Sequence, residues 1–364
     1  MTEPTALDQY LIELINRARL DPTAEAARLG IDINQGLSEG QISTAPKQPL
    51  AFDPELTEAA RGHAEWMLEK DVFSHTGVDG SSPGMRMADA GYEFTGNWRW
   101  GENISWRGTI GQAEDPVASV DRQNDALFLS PGHRENILQD DFREIGTATI
   151  TGEFQGYDTL MVAENFGKTG DDLFLTGVAY DDLDGNDFYT PGEGRGGINV
   201  SATLMGSAEP ITLTDLTGTA GGYEIAAAPG TYSVKFSGGG LTAPVVQTVT
   251  LGSENEKLDL IDPRDVKAPA GAEVAGASDS SEPSPIAALI DLVKESRDEL
   301  DFSALADHLR DGTPLPEAWV ETIHRGEEIL KTVDGNALAD DLAHYIDLLG
   351  LPDTHHGTDG LVGA

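Results

Sequence analysis

A chain of 364 residues is long enough for two or three domains with their own cores. Its formal net charge of −40 argues against nucleic acid or an anionic membrane surface as partner, because phosphate recognition needs a basic footprint. It contains no cysteine, which excludes disulfides and thiolate chemistry, and no apolar run long enough to span a bilayer.

In chain order, Leu7, Leu11, Leu14, Ile15 and Ala18 recur at helical spacing and predict a helix over 6–19 that stops at Asp21-Pro22. Asp53-Pro54-Glu55 opens a second helix, with Asp as N-cap, Pro at the first helical position and Glu near the positive end of the dipole. Its apolar stripe is Leu56, Ala60, His63 and Met67, so His63 faces inward. Ser82-Pro83 starts a short helix that ends at Gly91. Trp98, Trp100 and Trp106 then bracket Glu102 in an extended segment, as core or cavity wall. Asp115-Pro116 caps another helix, broken at Ser130-Pro131-Gly132, and two strands at 144–150 and 158–166 flank a turn between Gly152 and Gly156.

After Asp171-Asp172 the periodicity changes. Short alternating runs at 174–180, 198–204, 211–216, 223–226, 231–236, 245–251 and 257–261, separated by Gly-rich turns, predict a small antiparallel β-sandwich over 171–262, foldable apart from what precedes it. Its first hairpin carries Asp182, Asp184, Asn186 and Glu193 at loop positions one, three, five and twelve, with the Phe188 carbonyl at seven, which is calcium-loop spacing. Position six is Asp187, not glycine, which counts against an EF-hand. A solvated acidic turn is the alternative. Residues 263–285 have linker composition, and 286–364 show helical spacing with acidic faces.

Between residues 73 and 146 three phrases place imidazole or carboxylate groups in short polar segments: Phe73-Ser74-His75, Gly101-Glu102-Asn103, and Ser130-Pro131-Gly132-His133-Arg134-Glu135-Asn136. Such groups can hold a divalent cation or share acid–base work. Together with His63-Ala64-Glu65-Trp66-Met67, Arg86, Gly91-Tyr92, Ile145-Gly146 and Asn165-Phe166-Gly167, the first 170 residues resemble the CAP superfamily of cysteine-rich secretory, antigen-5 and pathogenesis-related-1 proteins, in its bacterial SCP-like branch. The resemblance implies an α-β-α sandwich over 1–170; with the all-β sandwich and the short helical C-terminal region read from periodicity, the fold class is α+β. The phrase Gly221-Gly222-Tyr223 with Ala228-Pro229-Gly230-Thr231-Tyr232 is similar to prealbumin-like or Cna-B-like repeats.

The family cavity usually has two His and two acidic residues. The match gives His75, Glu102 and His133 as the cleft and as ligands for zinc or another divalent metal. Asp125 is the stand-in for the missing second acid, and His63, Asn103, Arg134, Glu135 and Asn136 are supporting residues. The implied function is an exported bacterial protein that binds an extracellular lipid, glycan or protein in that cleft. The rivals are a metal-dependent hydrolase using the same residues and a structural or adhesive surface protein. His-Glu-x-x-His and P-loop motifs are absent, so zincin and nucleotide readings lack support. The first ten residues show no basic or apolar leader pattern, which by itself suggests the cytoplasm; the resemblance instead implies export, and an acidic, cysteine-free chain without such a leader looks like a substrate of a signal-independent, type I route.

Overall fold

The computed structural model describes residues 3–111, 113–207 and 209–261. Every described residue belongs to one compact unit, Met1–Pro269. The predicted linker and C-terminal helices at 263–364 lie outside the described residues.

The sequence signals act where they were expected. Helix α1 (Ala6–Leu20) begins with a reciprocal capping box between Thr5 and Asp8. Asp21 closes it and at once caps α2 (Pro22–Arg28), a helix not anticipated from the apolar spacing. Asp53 caps α3 (Pro54–Lys70) through Leu56 N, and Ser82 caps α4 (Pro83–Ala90) through Met85 N; Gly91, at φ 110°, ends α4. Asp115 caps α5 (Pro116–Leu129). The break at Ser130 is followed by a further helix, α6 (Pro131–Ile137), because Pro131 occupies the first helical position, where no amide donor is required.

Four strands form the first sheet: β1 (Ala51–Phe52), β2 (Arg99–Thr109), β3 (Glu144–Phe154) and β4 (Tyr157–Lys168), in the order β1-β3-β4-β2. The β3–β4 hairpin turns on Gln155-Gly156, both at positive φ, so it is tighter than the sequence predicts. Side chains alternate across this sheet. Ala148, Met161 and Ala163 pack with Ala60, Ala64 and Met67 of α3, while Ile145, Leu160, Val162 and Phe166 join Leu11, Leu14, Val120 and Phe128 of α1 and α5. Helices therefore cover both faces. The approach of α3 is so close that a Cβ on Gly146 would lie 2.1 Å from Thr57 N.

Beyond the connection at 169–173, eight strands follow: β5 (Phe174–Tyr180), β6 (Ile198–Leu204), β7 (Thr212–Leu216), β8 (Gly222–Ala226), β9 (Gly230–Gly238), β10 (Val245–Leu251), β11 (Glu256–Lys257) and β12 (Leu260–Ile261). One sheet runs β10-β9-β6-β7; the other pairs β5 with β8, β11 and β12. Both sheets feed one apolar cluster that includes Leu175, Val200, Tyr223, Val234, Phe236 and Leu260. The expectation of purely antiparallel pairing needs correction, since β11 and β12 run parallel to β5. The alternating pattern that predicts a strand carries no information on its direction.

This second region is not loosely attached. Val178, Tyr180 and Tyr189 sit in the same cluster as α1 and α5. Lys257 Nζ lies 2.8 Å from Glu13 Oε2, and the Glu13 side chain is buried. Asn255 donates to Pro49 O and Arg143 O at 3.0 and 2.8 Å, and accepts from Phe174 N at 2.9 Å.

Candidate functional site

Strand β2 is an edge of the first sheet among the described residues, so groups from the helical layers on both faces can meet across it. After α3 the chain turns at Asp71, held at φ 56°, and leads into the loop that carries His75. The His75 side chain is 53% exposed, and its Nδ1 donates to Glu102 Oε1 at 2.8 Å. A carboxylate only accepts, so the Nδ1 position carries the hydrogen and Nε2 points away from Glu102. Glu102 is itself buried, and Arg86 Nη2 donates to its second oxygen at 2.5 Å. Arg86 comes from α4, and its Nη1 also donates to His75 O and Ser81 O. The guanidinium thus fixes both the carboxylate and the loop bearing the imidazole.

His133 enters from the other side on α6. It is half-buried, with Nδ1 2.8 Å from Ser130 Oγ, and burial followed by the nearby His75 lowers its pKa. Its carbonyl accepts from Asn103 Nδ2 at 3.3 Å, while Asn136 Nδ2 donates to Asn103 Oδ1 at 2.9 Å and to Glu102 O at 3.3 Å. These two amides tie the Glu102 strand to the His133 helix. Asn103 Nδ2 also donates to Glu164 Oε2 at 2.9 Å. Glu164 is fully buried, and burial pushes its carboxyl up to about 7, so it is largely protonated below neutrality.

The supporting residues named from the sequence divide. Asn103 and Asn136 join Glu102 and His133 as just described. His63 is buried: Nε2 donates to Ser74 O at 2.8 Å, the ring stacks on Trp66, and burial lowers its pKa. Arg134 points into the protein, donating to Ile33, Phe128, Leu129 and Gln35 carbonyls; it closes the end of α5 instead of facing the site. Glu135 meets Gln41. Asp125 is corrected as a stand-in for a second acid, because both its oxygens bond Arg28 on the α2 side of α5. Of the tryptophans, Trp106 packs on Phe154 with ring centroids 4.9 Å apart, whereas Trp98 and Trp100 are exposed.

Sequence reasoning missed Arg86 as the partner of Glu102, Ser130 as the partner of His133, and Glu164. Arg86 stood among the family phrases, but nothing in its local pattern marked its target. Glu164 precedes Asn165-Phe166-Gly167 in an apolar strand, where a carboxylate was itself a signal of a special environment.

The donor set only partly fits a cleft metal. Both Glu102 oxygens are engaged, one by a cation, so Glu102 orients His75 and is not a ready ligand. The Nε2 atoms of His75 and His133 have no partner among the described residues and suit zinc, each ring being held through its Nδ1. Elsewhere, among the described residues, the one trio of His, Asp or Glu with donor atoms within 4.8 Å of one another is Asp182, Asp184 and Glu193. There Glu193 is buried and accepts from Leu183 N at 2.8 Å and Thr190 N at 2.7 Å, while Asn186 bonds Asp184. Asp187, at loop position six, adopts φ 58°, the left-handed conformation that glycine usually supplies.

Residues 12–166 match the family described as "CAP: Cysteine-rich secretory protein family", and this part of the chain is a CAP domain. No curated protein matches the sequence. Among solved structures, an extracellular protein containing a SCP domain from Bacillus anthracis is 25% identical, with 33% of this chain and 34% of that chain covered and a TM-score of 0.25. The present chain thus spans about a third of that protein. An outer surface protein from Borrelia burgdorferi is 19% identical over 41% of this chain and 96% of that chain, with a TM-score of 0.26. NaASP2, solved with Zn2+, is 18% identical over 47% and 82%, with a TM-score of 0.31. No helix among the described residues is long and apolar enough to cross a membrane.

Proposed function

We propose that this is an exported protein whose CAP domain holds a ligand or partner at the surface formed by His75, Glu102 and His133. The carrying observation is the buried Glu102 carboxylate with both oxygens occupied, by His75 Nδ1 and Arg86 Nη2. A carboxylate held this way orients an imidazole well but is poorly placed to take a proton from water. This favours binding over hydrolysis. The secretory character in the family's description supports export. A divalent ion bound by the two Nε2 atoms would lend the site a Lewis-acidic centre, and zinc suits imidazole donors.

The test is zinc titration of the full chain by calorimetry, beside peptidase assays on an unfolded protein substrate. The binding reading expects zinc uptake that is lost in His75→Ala and in His133→Ala, with no turnover. Zinc-dependent cleavage abolished by Glu102→Gln would replace it with the hydrolase reading.

The second region is proposed to fold as an accessory sandwich stabilised by calcium at Asp182, Asp184, Asn186, the Phe188 carbonyl and Glu193. The close approach of three carboxylates supports this, since an ion or open solvent must relieve their repulsion.

A further inference from the structure

The junction between the CAP domain and the second region has two unlike edges. Strand β5 lies between β11 and β12 on one side and β8 on the other. At the β11 edge the two regions are fastened by Lys257 on Glu13 and by Asn255 on the Pro49 and Arg143 carbonyls. At the β8 edge a cavity of about 170 Å³ separates Pro4, Gln9, Phe52 and Pro54 from Asp215 and Glu224. Among the described residues, no Lys, Arg or His lines it.

Glu224 stands opposite Thr176 of β5, which stands opposite Lys257 of β11, so the three share the sheet face turned to the CAP domain. The Glu224 amide donates to Asp215 Oδ2 at 2.8 Å, but its partly buried carboxyl accepts from no group among the described residues. The charged groups facing it are all acids: Asp215 from β7, Asp53 and Glu55 at the start of α3, and Glu144 from β3, with Glu3 also lining the cavity. Thr176 and Gln9 are neutral, and Lys257 is engaged by Glu13 and Asp259. Burial first, then Asp53, Asp215, Glu144 and Glu55, pushes the Glu224 carboxyl up to about 9. Asp53 is raised to about 7 and Glu144 is raised as well, each chiefly by burial.

A closed junction therefore holds protons that an open one, with its carboxyls in water, releases. The contribution of Glu224 to closure is complete below the ordinary carboxylate range and is lost as pH rises through about 9. Between those limits each proton released raises the opening equilibrium about tenfold per pH unit. A charge formed on Glu224 in the closed state finds neither a counter-ion nor bulk water. Since the β11 edge is held by groups that this ionisation leaves paired, the β8 edge is where the junction parts.

We propose that the β8 edge is a proton-held latch: protonated Glu224, with Asp53 and Glu144, keeps β7 and β8 against the CAP domain, and their ionisation frees that edge while the β11 edge holds. The latch is separate from the surface at His75 and does not depend on the function proposed for it.

The chain has no cysteine, so one introduced at Ala220, which is 6% exposed and lines the cavity, reports opening of this edge. Thiol labelling of full-length Ala220→Cys is followed from about pH 6 to about pH 9, with and without Glu224→Gln, and the ratio of the two rates at each pH cancels the ionisation of the thiol itself. Labelling should be faster without Glu224→Gln, by a ratio that climbs at least about tenfold across this range. A ratio constant within about twofold would overturn the proposal. Amide exchange of residues 212–226, read by mass spectrometry in chains without the added Cys, tests the latch where that Cys disturbs its turn. Exchange there should accelerate with pH beyond the intrinsic amide rate, and Glu224→Gln should suppress the excess. No such excess, or an equal one in β4, which marks global unfolding, would overturn the latch as well.

Discussion

Arg86 and Glu102 form an ion pair at 2.5 Å whose side chains are 9% and 1% exposed, and the same guanidinium holds the carbonyl of His75. Geometry at the candidate site thus depends on a residue that contributes no free atom to its surface. Breaking such a pair from one side strands a buried charge, at a cost of about 3–5 kcal/mol. Arg86→Ala is therefore expected to lower stability by that order and to release the His75 loop. Chemical denaturation, with the His75 ring followed by NMR, measures both effects. A loss within about 0.5 kcal/mol, the scale of an ordinary surface substitution, would show that the pair is not structural.

Glu164 gives a pH dependence with a defined sign. Burial raises its carboxyl to about 7, so between the ordinary carboxylate range and neutrality the native state holds a proton that the unfolded chain has released. The stabilisation is complete at acid pH and is lost as pH rises through about 7. Asp53, raised to about 7 first by burial and then by Glu144, contributes in the same direction. Glu164→Gln should keep the amide network, remove the titration and stabilise the protein at pH 8 by an amount on the order of 3 kcal/mol. Urea midpoints from pH 5 to pH 8 measure this, and parallel curves for variant and native protein would refute it.

Calcium should raise the melting temperature. At a concentration a hundred times the dissociation constant, linkage supplies about 2.7 kcal/mol. Asp184→Ala should remove the effect without changing the melting temperature in chelator by more than a few degrees. An unchanged midpoint in the native protein between chelator and millimolar calcium would leave the loop a solvated acidic turn.

The two regions should unfold together. Lys257 pairs with the buried Glu13, and Asn255 satisfies backbone groups on both sides of the junction. Lys257→Met would leave Glu13 unpaired, at a cost of about 3–5 kcal/mol. Calorimetry of residues 1–262 should then show one transition in the native protein and one, at lower temperature, in the variant. Two separated transitions in the native protein would instead support the independent sandwich that the change of periodicity suggests.

Local structure was legible because its causes are local. Asp53-Pro54, Ser82-Pro83 and Asp115-Pro116 start helices through backbone groups within three residues of themselves, and Gly91 ends one through its own φ. Strand periodicity gave the position of β5 through β12 but not the parallel pairing of β11 and β12 with β5, since alternation is the same in either direction. The site phrases named His75, Glu102 and His133 with Asn103 and Asn136, but not that His133 lies on a helix after the break at Ser130. They could not say that Asp125 turns to Arg28 or that Arg134 caps α5.

By itself, then, the sequence determined most of the helices and strands, though not α2, α6 or β1, and marked the side chains capable of proton or metal chemistry. Tertiary structure alone decided who faces whom. Arg86 and Glu102 are 16 residues apart, Asn103 and Glu164 are 61, and Asn255 and Pro49 are 206. Capping and periodicity act over a few residues, whereas the partner of a buried charge is chosen by whichever group the packed helices and sheet bring to it where water is excluded.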